Sequence, residues 1–328
     1  LLTKSNDRFA IIDLGSNSFY MVLGSVTSLK TWKVDQEMSE AVQLRSGLTQ
    51  RGDLTWESMN RALTCLDAFA ARLCKFDPDP SKVRIIGTAA FRLAKNRDLF
   101  LSHAIKRLGY PIEVISGEEE AELIYQAFVH YLENLHPSHL GANDQLLGID
   151  VGGGSTELVI GLGPNPKWSL SLPVGCVELQ QYFFGKGEIS AENFTLAIEG
   201  ITGQFRAAER QIQTLVDFGW QRVYAGSGSA DILMQAAKYL GLGVGQDISV
   251  TLLRGIRDYL ISLRDYRQVQ IPSLKDHQWT ILPGIVAIFL ALMNHLQLDK
   301  ITVLPVALRH GALAAMLLAK RQPQAHNN

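Results

Sequence analysis

The chain has 328 residues, 47% hydrophobic and 19% charged, which excludes a disordered chain and is enough for two domains with cores of their own. Lysine plus arginine total 31 against 32 acids, a net charge of -1, so no global field draws the protein to nucleic acid or to an anionic membrane, and any anionic ligand must be held locally. Three scattered cysteines, Cys65, Cys74 and Cys176, show no metal-ligand spacing and read as free thiols of a reducing compartment.

The opening LLTKSNDRFAIIDLG carries an apolar run too short for a signal peptide, ended by an acid. Residues 10–24, AIIDLGSNSFYMVLG, are an apolar run, a polar glycine-containing turn and a second apolar run, which predicts strand, turn, strand. Asp13 closes the first strand, and the turn Gly15, Ser16, Asn17, Ser18 offers backbone N–H groups with hydroxyl and amide donors. From about Trp56 to Leu73 a helix is expected, with Ala62, Leu66, Phe69 and Leu73 on one face. VRIIGTAA at 83–90 reads as a strand ending at Gly87 and entering a helical segment. On that segment Arg92 is either a solvated helix residue or a phosphate clamp, because a guanidinium matches phosphate oxygens; Lys95 is the lesser candidate.

IEVISGEEEAELIYQAFVHYL predicts a β-rich run ending at Ser116-Gly117 and then a helix, with Ser116 and Glu119 as a capping box. Capping accounts for Glu118 and Glu119 but not for Glu120. Counting on from it, positions 123, 124, 127, 128 and 131 are Leu, Ile, Ala, Phe and Tyr, so Glu120 heads the buried stripe, while Glu122, Gln126 and His130 mark the wet face. An acid on the inward face is a candidate general base. HPSHLGAND, residues 136–144, reads as a surface loop at a domain boundary near 126–145.

Residues 147–161, LGIDVGGGSTELVIG, repeat the first strand–turn–strand unit at an offset of 137, with Asp13 on Asp150, Gly15 on Gly152 and Ser18 on Ser155. Three successive glycines let backbone N–H groups approach an anion closely. A helix is expected from about Ala191 to Leu215 with Ser190 as N-cap, and RVYAGSGS at 222–229 repeats the strand that ends in Gly-Thr, here Gly226-Ser227. Ile281–Met293 is the longest apolar stretch; it contains Pro283 and Gly284, is too short to cross a bilayer and reads as a buried helix. LPVALRHGAL reads as a turn and cap, with Arg309 and Gly311, before an apolar helix. Histidines lack metal-ligand spacing, and no serine–histidine–acid order, Walker loop or zinc motif occurs.

Two halves sharing both motifs at nearly the same spacing predict an α/β domain made twice, with an interdomain cleft as the natural ligand site. Asp13 and Asp150 beside phosphate-binding turns make electrostatic sense only with a cation between carboxylate and phosphate, most simply Mg2+.

The segments DLGSNSF, VRIIGTAAFRLAKN, EVISGEEEAELIY, GIDVGGGSTELVIG, PVGCV, AGSGS, LPGI and ALRHG together resemble the exopolyphosphatase and guanosine pentaphosphate phosphohydrolase family, within the actin-like ATPase superfamily. The resemblance implies duplicated ribonuclease-H-like domains, expected here at residues 1–127 and 128–305 with a helix near 306–328 packing back on the first. It implies Glu120 as catalytic base; Asp13, Gly15, Ser16, Asn17 and Ser18, then Gly152, Gly153, Gly154 and Ser155, as phosphate loops, with Gly226, Ser227 and Arg92 near substrate phosphate; and Asp150, Asp13 and Glu157 toward Mg2+ or Mn2+. The implied reaction is metal-assisted in-line release of terminal orthophosphate from polyphosphate or guanosine pentaphosphate, with guanosine tetraphosphate a further ligand. A cytoplasmic protein is expected, with a homodimer allowed and neither nucleic acid nor membrane as partner. A kinase of the same superfamily and a non-catalytic polyphosphate or guanosine tetraphosphate sensor are the alternatives. Three departures bear on them: Tyr20 and Ala41 stand where the family is commonly basic, and Val306–Gly311 replaces Gly-Ala-Leu-Arg-Glu-Gly. The resemblance further implies that longer relatives carry a C-terminal helical domain beyond the segments matched here.

Overall fold

The apolar–turn–apolar segment at 10–24 forms a hairpin in the computed structural model, which describes residues 7–28, 31–135, 140–243 and 245–319. Residues 1–6 of the expected N-terminal segment, 136–139 of the expected surface loop and 320–328 of the expected last helix lie outside the described residues. By contacts the chain divides into two compact units, Leu1–His130 with Leu308–Asn328, and Tyr131–Ala307.

In the first unit β1 (Arg8–Leu14) and β2 (Phe19–Val26) pair antiparallel, with Asp13 opposite Tyr20 and Leu14 opposite Phe19. β3 (Trp32–Glu40) adds to β2, and after α1 (Trp56–Phe76) the chain returns as β4 (Val83–Gly87), parallel to β1. α2 (Ala89–Leu93), α3 (Arg97–Leu108), β5 (Glu113–Val114) and α4 (Gly117–Leu135) follow, and the sheet order is β3-β2-β1-β4-β5. Side chains alternate across a strand, so Ala10, Ile12 and Leu14 with Phe19, Met21 and Leu23 enter a core shared with Leu66, Phe69 and Leu73 of α1. Ile11, Asp13, Tyr20 and Val22 therefore lie on the opposite face. α1 starts where Thr55 accepts from the Ser58 N–H, and it runs beyond the expected Leu73 to a left-handed Asp77 with φ 52°.

The second unit opens with β6 (Gln145–Val151), β7 (Thr156–Leu162) and β8 (Asn165–Leu172), all antiparallel neighbours. Next come α5 (Cys176–Phe183), α6 (Ala191–Ala207), α7 (Glu209–Phe218), β9 (Arg222–Gly226) and α8 (Ser227–Tyr239). β10 (Asp247–Ser249), α9 (Val250–Leu263), α10 (Asp276–Trp279), α11 (Leu282–His295) and β11 (Lys300–Val303) complete it. Read from β8, the order β8-β7-β6-β9-β11 repeats that of the first sheet, antiparallel pairs first and parallel β6/β9 and β9/β11 pairs after, with β10 added at the edge. The duplication legible in two short motifs is a duplication of sheet topology. α12 (Leu308–Ala319) then returns to the first unit and packs beside β1.

One expected helix is two. Ser190 does cap α6 by accepting from the Asn193 N–H, but the helix breaks at Ala208 and restarts as α7. The apolar stretch behaves as read: Leu282–Met293 of α11 are all buried in the second core. The Asp276–His295 stretch is long and apolar enough to cross a membrane by composition alone, yet it serves as a core element, 72% of its most apolar window being buried.

Candidate functional site

In the β1–β2 turn, a Cβ on Gly15 would come 2.7 Å from the Ser18 carbonyl oxygen, so the tight reversal requires glycine there. The chain leaving β3 lies across this turn. The Gln43 N–H donates to the Asn17 carbonyl at 2.8 Å and the Arg45 N–H to the Ser16 carbonyl at 2.8 Å, with Gln43 held left-handed at φ 49°. The turn's carbonyls are thus tied back into the protein. Its Ser16 and Asn17 amides donate to no acceptor among the described residues. Successive N–H groups at a tight turn are the donors that an anion-binding nest uses.

β4, α2 and the start of α4 assemble the second feature of the first unit. The Ile115 N–H donates to the Gly87 carbonyl at 3.1 Å, which brings the approach to α4 beside the end of β4. Ser116 Oγ accepts from the Glu119 N–H at 3.1 Å, the expected cap. The reciprocal half of the capping box gives way to an ion pair, Glu119 Oε1 accepting from Arg84 Nη2 at 3.0 Å. Glu118 is exposed, whereas Glu120 is 7% exposed. Glu120 Oε2 accepts from Arg92 Nη1 at 2.6 Å, and the same nitrogen lies 3.3 Å from the Ile115 carbonyl oxygen. Burial pushes the Glu120 carboxyl up; the charge and hydrogen bond of Arg92 pull it down, and burial prevails. A buried acid raised toward neutrality while paired to one arginine is suited to accept a proton.

The second unit repeats the turn with different residues. The Gly152 N–H closes the turn onto the Ser155 carbonyl at 2.8 Å, and the Gly153 and Gly154 amides donate to no acceptor among the described residues. The segment after β8 again crosses it, Cys176 N–H donating to the Gly152 carbonyl at 3.0 Å and Val177 N–H to the Gly153 carbonyl at 3.1 Å. A Cβ on Gly175 would overlap Gly153 and Gly154, and Thr156 Oγ1 anchors the segment by donating to the Val174 carbonyl at 2.6 Å. Burial pushes the Cys176 thiol to about 12, so it packs rather than reacts.

Asp150 is the last residue but one of β6, directly opposite Glu157 on β7 and beside Gly226 on β9. Asp150 is 6% and Glu157 1% exposed, and Glu157 Oε1 accepts from Ser171 Oγ at 2.8 Å. Ser227 takes a left-handed φ of 78°, donates its N–H to the Val306 carbonyl at 2.8 Å, and leaves its enclosed Oγ without a hydrogen-bond partner among the described residues. Such a backbone costs about 1–3 kcal/mol and is characteristic of functional turns.

The structure thus joins Arg92 to Glu120, and Asp150 to Glu157 and Gly226; Asp13 is buried at the end of β1 beside the Ser16–Asn17 turn. Lys95 is exposed, with Gly52 lying against its aliphatic stem. No group of three metal-type side chains occurs among the described residues. Sequence reading missed two features. Arg45, four residues beyond Ala41, lies against the first turn by its backbone, and no local sequence signal marks it. The final motif is not a turn and cap: Arg309 and Gly311 lie inside α12, Arg309 with its guanidinium 4.8 Å from the centre of the Tyr20 ring.

Residues 6–320 match the Ppx/GppA phosphatase family. The chain is 34% identical over 323 residues to a guanosine-5'-triphosphate,3'-diphosphate pyrophosphatase of Vibrio parahaemolyticus, covering 97% of this chain and 61% of that protein. A protein of the same name from Vibrio vulnificus is 35% identical, with 96% of this chain and 60% of that protein covered. The chain therefore spans about 60% of the length of these curated relatives. Among solved structures, an exopolyphosphatase from Cytophaga hutchinsonii aligns with a TM-score of 0.82 at 22% identity, covering 95% of this chain and 98% of that one. The Aquifex aeolicus member of the Ppx/GppA family aligns at 0.73 and 21%, covering 97% and 99%. These two carry the fold.

Proposed function

Because the chain belongs to the Ppx/GppA phosphatase family, we propose that it is a phosphohydrolase that releases terminal orthophosphate from guanosine pentaphosphate or inorganic polyphosphate. The observation that carries the reading is Glu120: a carboxyl buried at the head of α4, raised by that burial and held by one 2.6 Å contact to Arg92. In the proposed step Glu120 takes a proton from water, the water oxygen attacks the terminal phosphorus, and the phosphoanhydride bond on the far side breaks with its electron pair leaving on the bridging oxygen. Arg92 opposes the rise caused by burial and so favours the ionised form that accepts the proton. The uncommitted amides of Ser16 and Asn17 in one unit and of Gly153 and Gly154 in the other are donors for phosphate oxygens.

A divalent cation fits the residues present. Asp150 and Glu157 are hard oxygen donors, both buried and at directly opposite positions of adjacent strands, the ligand type a divalent cation takes. Mg2+ takes one or two carboxylates and completes its shell with water and phosphate. Mg2+ or Mn2+ bound there would neutralise charge on the leaving phosphate. Asp13 supplies a further carboxylate at the first unit's turn. Three free cysteines, Cys65, Cys74 and Cys176, fit a reducing, cytoplasmic setting.

The test is phosphate release from guanosine pentaphosphate and from a defined polyphosphate with Mg2+ and no acceptor. Release by wild type that disappears in Glu120→Gln supports the reading; turnover only with an added acceptor, or binding without release, rejects it.

A further inference from the structure

Arg92 was the arginine that chemistry nominated as a phosphate clamp, but it is committed to Glu120 and the Ile115 carbonyl. Arg84 is likewise held, by Glu113 and Glu119. Arg309 is different. It is half-buried near the start of α12, and among the described residues its guanidinium makes no hydrogen bond and no ion pair. Its contact is with the face of Tyr20. All five N–H donors of the fork are therefore available.

The position of this cation is determined by three elements of one unit. Tyr20 lies directly opposite Asp13 in the β1–β2 register, so both side chains rise from the same face of the sheet, two residues beyond Ser18 of the turn. α12 packs beside β1. Two residues beyond Arg309, a Cβ on Gly311 would overlap the Leu123 carbonyl oxygen, so α12 touches α4 backbone to backbone within one turn of Glu120. A long side chain that would otherwise sweep a wide volume is thereby aimed at the face that carries Asp13, and the Tyr20 ring limits its freedom further.

We infer that Arg309 is a substrate-binding residue that takes a phosphate oxygen next to the Ser16–Asn17 turn, with Tyr20 as its positioning residue. The inference rests on the phosphohydrolase reading for its substrate class, and on the first unit alone for its geometry. Tyr20, standing where the family is commonly basic, holds against this face a charge delivered by another element.

The experiment measures KM and kcat for phosphate release from guanosine pentaphosphate, and binding of inorganic tripolyphosphate by calorimetry in a Glu120→Gln background. Arg309→Gln should raise KM and the tripolyphosphate Kd by about 10–100-fold, the worth of a charge-assisted hydrogen bond, with kcat changed less than about threefold. Tyr20→Leu should reproduce part of that loss, and Tyr20→Phe, which keeps the ring, should restore binding relative to Tyr20→Leu. A structural role would instead lower the thermal midpoint and kcat together without a selective change in KM. Unchanged KM and Kd in Arg309→Gln, or equal behaviour of Tyr20→Leu and Tyr20→Phe, overturns the inference while leaving hydrolysis standing. If wild type releases no phosphate yet binds tripolyphosphate in an Arg309-dependent way, the hydrolase reading fails and this inference survives. If wild type binds no tripolyphosphate, the inference is overturned.

Discussion

Glu120 and its three acidic neighbours in sequence show how four like side chains acquire different roles from position alone. Glu118 is in water, Glu119 is spent on Arg84, Glu122 is on the exposed face, and Glu120 alone is buried. Glu120→Gln should lower turnover by about 10²–10⁴-fold with little change in substrate affinity, while Glu118→Gln leaves both near wild type. Steady-state kinetics on the two variants decides it, and near-normal turnover in Glu120→Gln would falsify the base assignment. The pH dependence follows from the direction of the shift. A general base acts when ionised, and the Glu120 carboxyl is raised above the ordinary 4.5, so with Glu120 in the proposed role the acidic limb of kcat/KM should lie above the usual carboxylate range. Arg92→Gln removes the group that lowers it, and the limb should move further to alkaline pH. The linkage to stability has the opposite sense. With the folded value raised, the stabilising contribution is fully present below 4.5 and is lost as pH rises through the raised value. Glu120→Gln, frozen in the neutral state, should therefore gain in thermal midpoint relative to wild type as pH increases across that window.

In both units a segment following the third strand crosses the first hairpin and donates two backbone N–H groups to the turn's carbonyls. Neither crossing is visible as a repeat, because the contacts are between main chains and the residues differ: Gln43 and Arg45 in one, Cys176 and Val177 in the other. In the second unit the fit depends on Gly175. Gly175→Ala forces a methyl into Gly153–Gly154 backbone and should cost about 1–3 kcal/mol, with a larger loss of activity than of stability because it displaces the amides themselves. Gly203→Ala is the contrasting case: it lies within α6 with nothing in reach of a Cβ, and should stabilise by about 0.5–1 kcal/mol. Denaturant melts of both, alongside phosphate release, separate a clamp from a merely tolerant glycine; a stable, fully active Gly175→Ala would remove the clamp argument. Helix limits were legible where a local signal existed, as at Thr55 and Ser190. The break at Ala208 had no such signal, since no proline or glycine interrupts the sequence there.

These 328 residues taken together are nearly neutral, and that bears on long polyanions. A lined basic path would be needed to hold many phosphates at once, with binding that weakens steeply in salt. A net charge of -1 and a first unit in which Arg84 and Arg92 are both committed to acids leave a few local donors instead. Defined long polyphosphate should therefore be shortened distributively, as a ladder of intermediates on a gel at low and moderate salt, with short chains or guanosine pentaphosphate cleaved at least as efficiently. Full-length chains and free phosphate with few intermediates would defeat this. Asp150→Asn should raise the Mg2+ concentration needed for half-maximal activity, because it halves the carboxylate charge of the Asp150–Glu157 pair. Titration of activity with Mg2+ after chelation checks this, and full activity of wild type in excess chelator would refute the metal role.

Much of the architecture was readable from short stretches. The two apolar–turn–apolar runs, the Ser116 and Ser190 caps, the buried apolar helix at Leu282–Met293 and the inward place of Glu120 all follow from periodicity and turn chemistry, which act within a few residues along the chain. The matched spacing of those runs then implied that one sheet topology is used twice, as the two strand orders show. Folding alone settled which groups meet. Arg92 could have been a phosphate clamp or a solvated residue until α2 and α4 brought it to Glu120, and the last motif resembled a turn until α12 was found to press Gly311 onto α4 and Arg309 onto Tyr20. The reason is physical. Hydrogen-bond partners and ion pairs depend on the register of strands and the crossing of helices that are distant in sequence, and an isolated arginine carries no mark of which acid or ring the fold will set beside it.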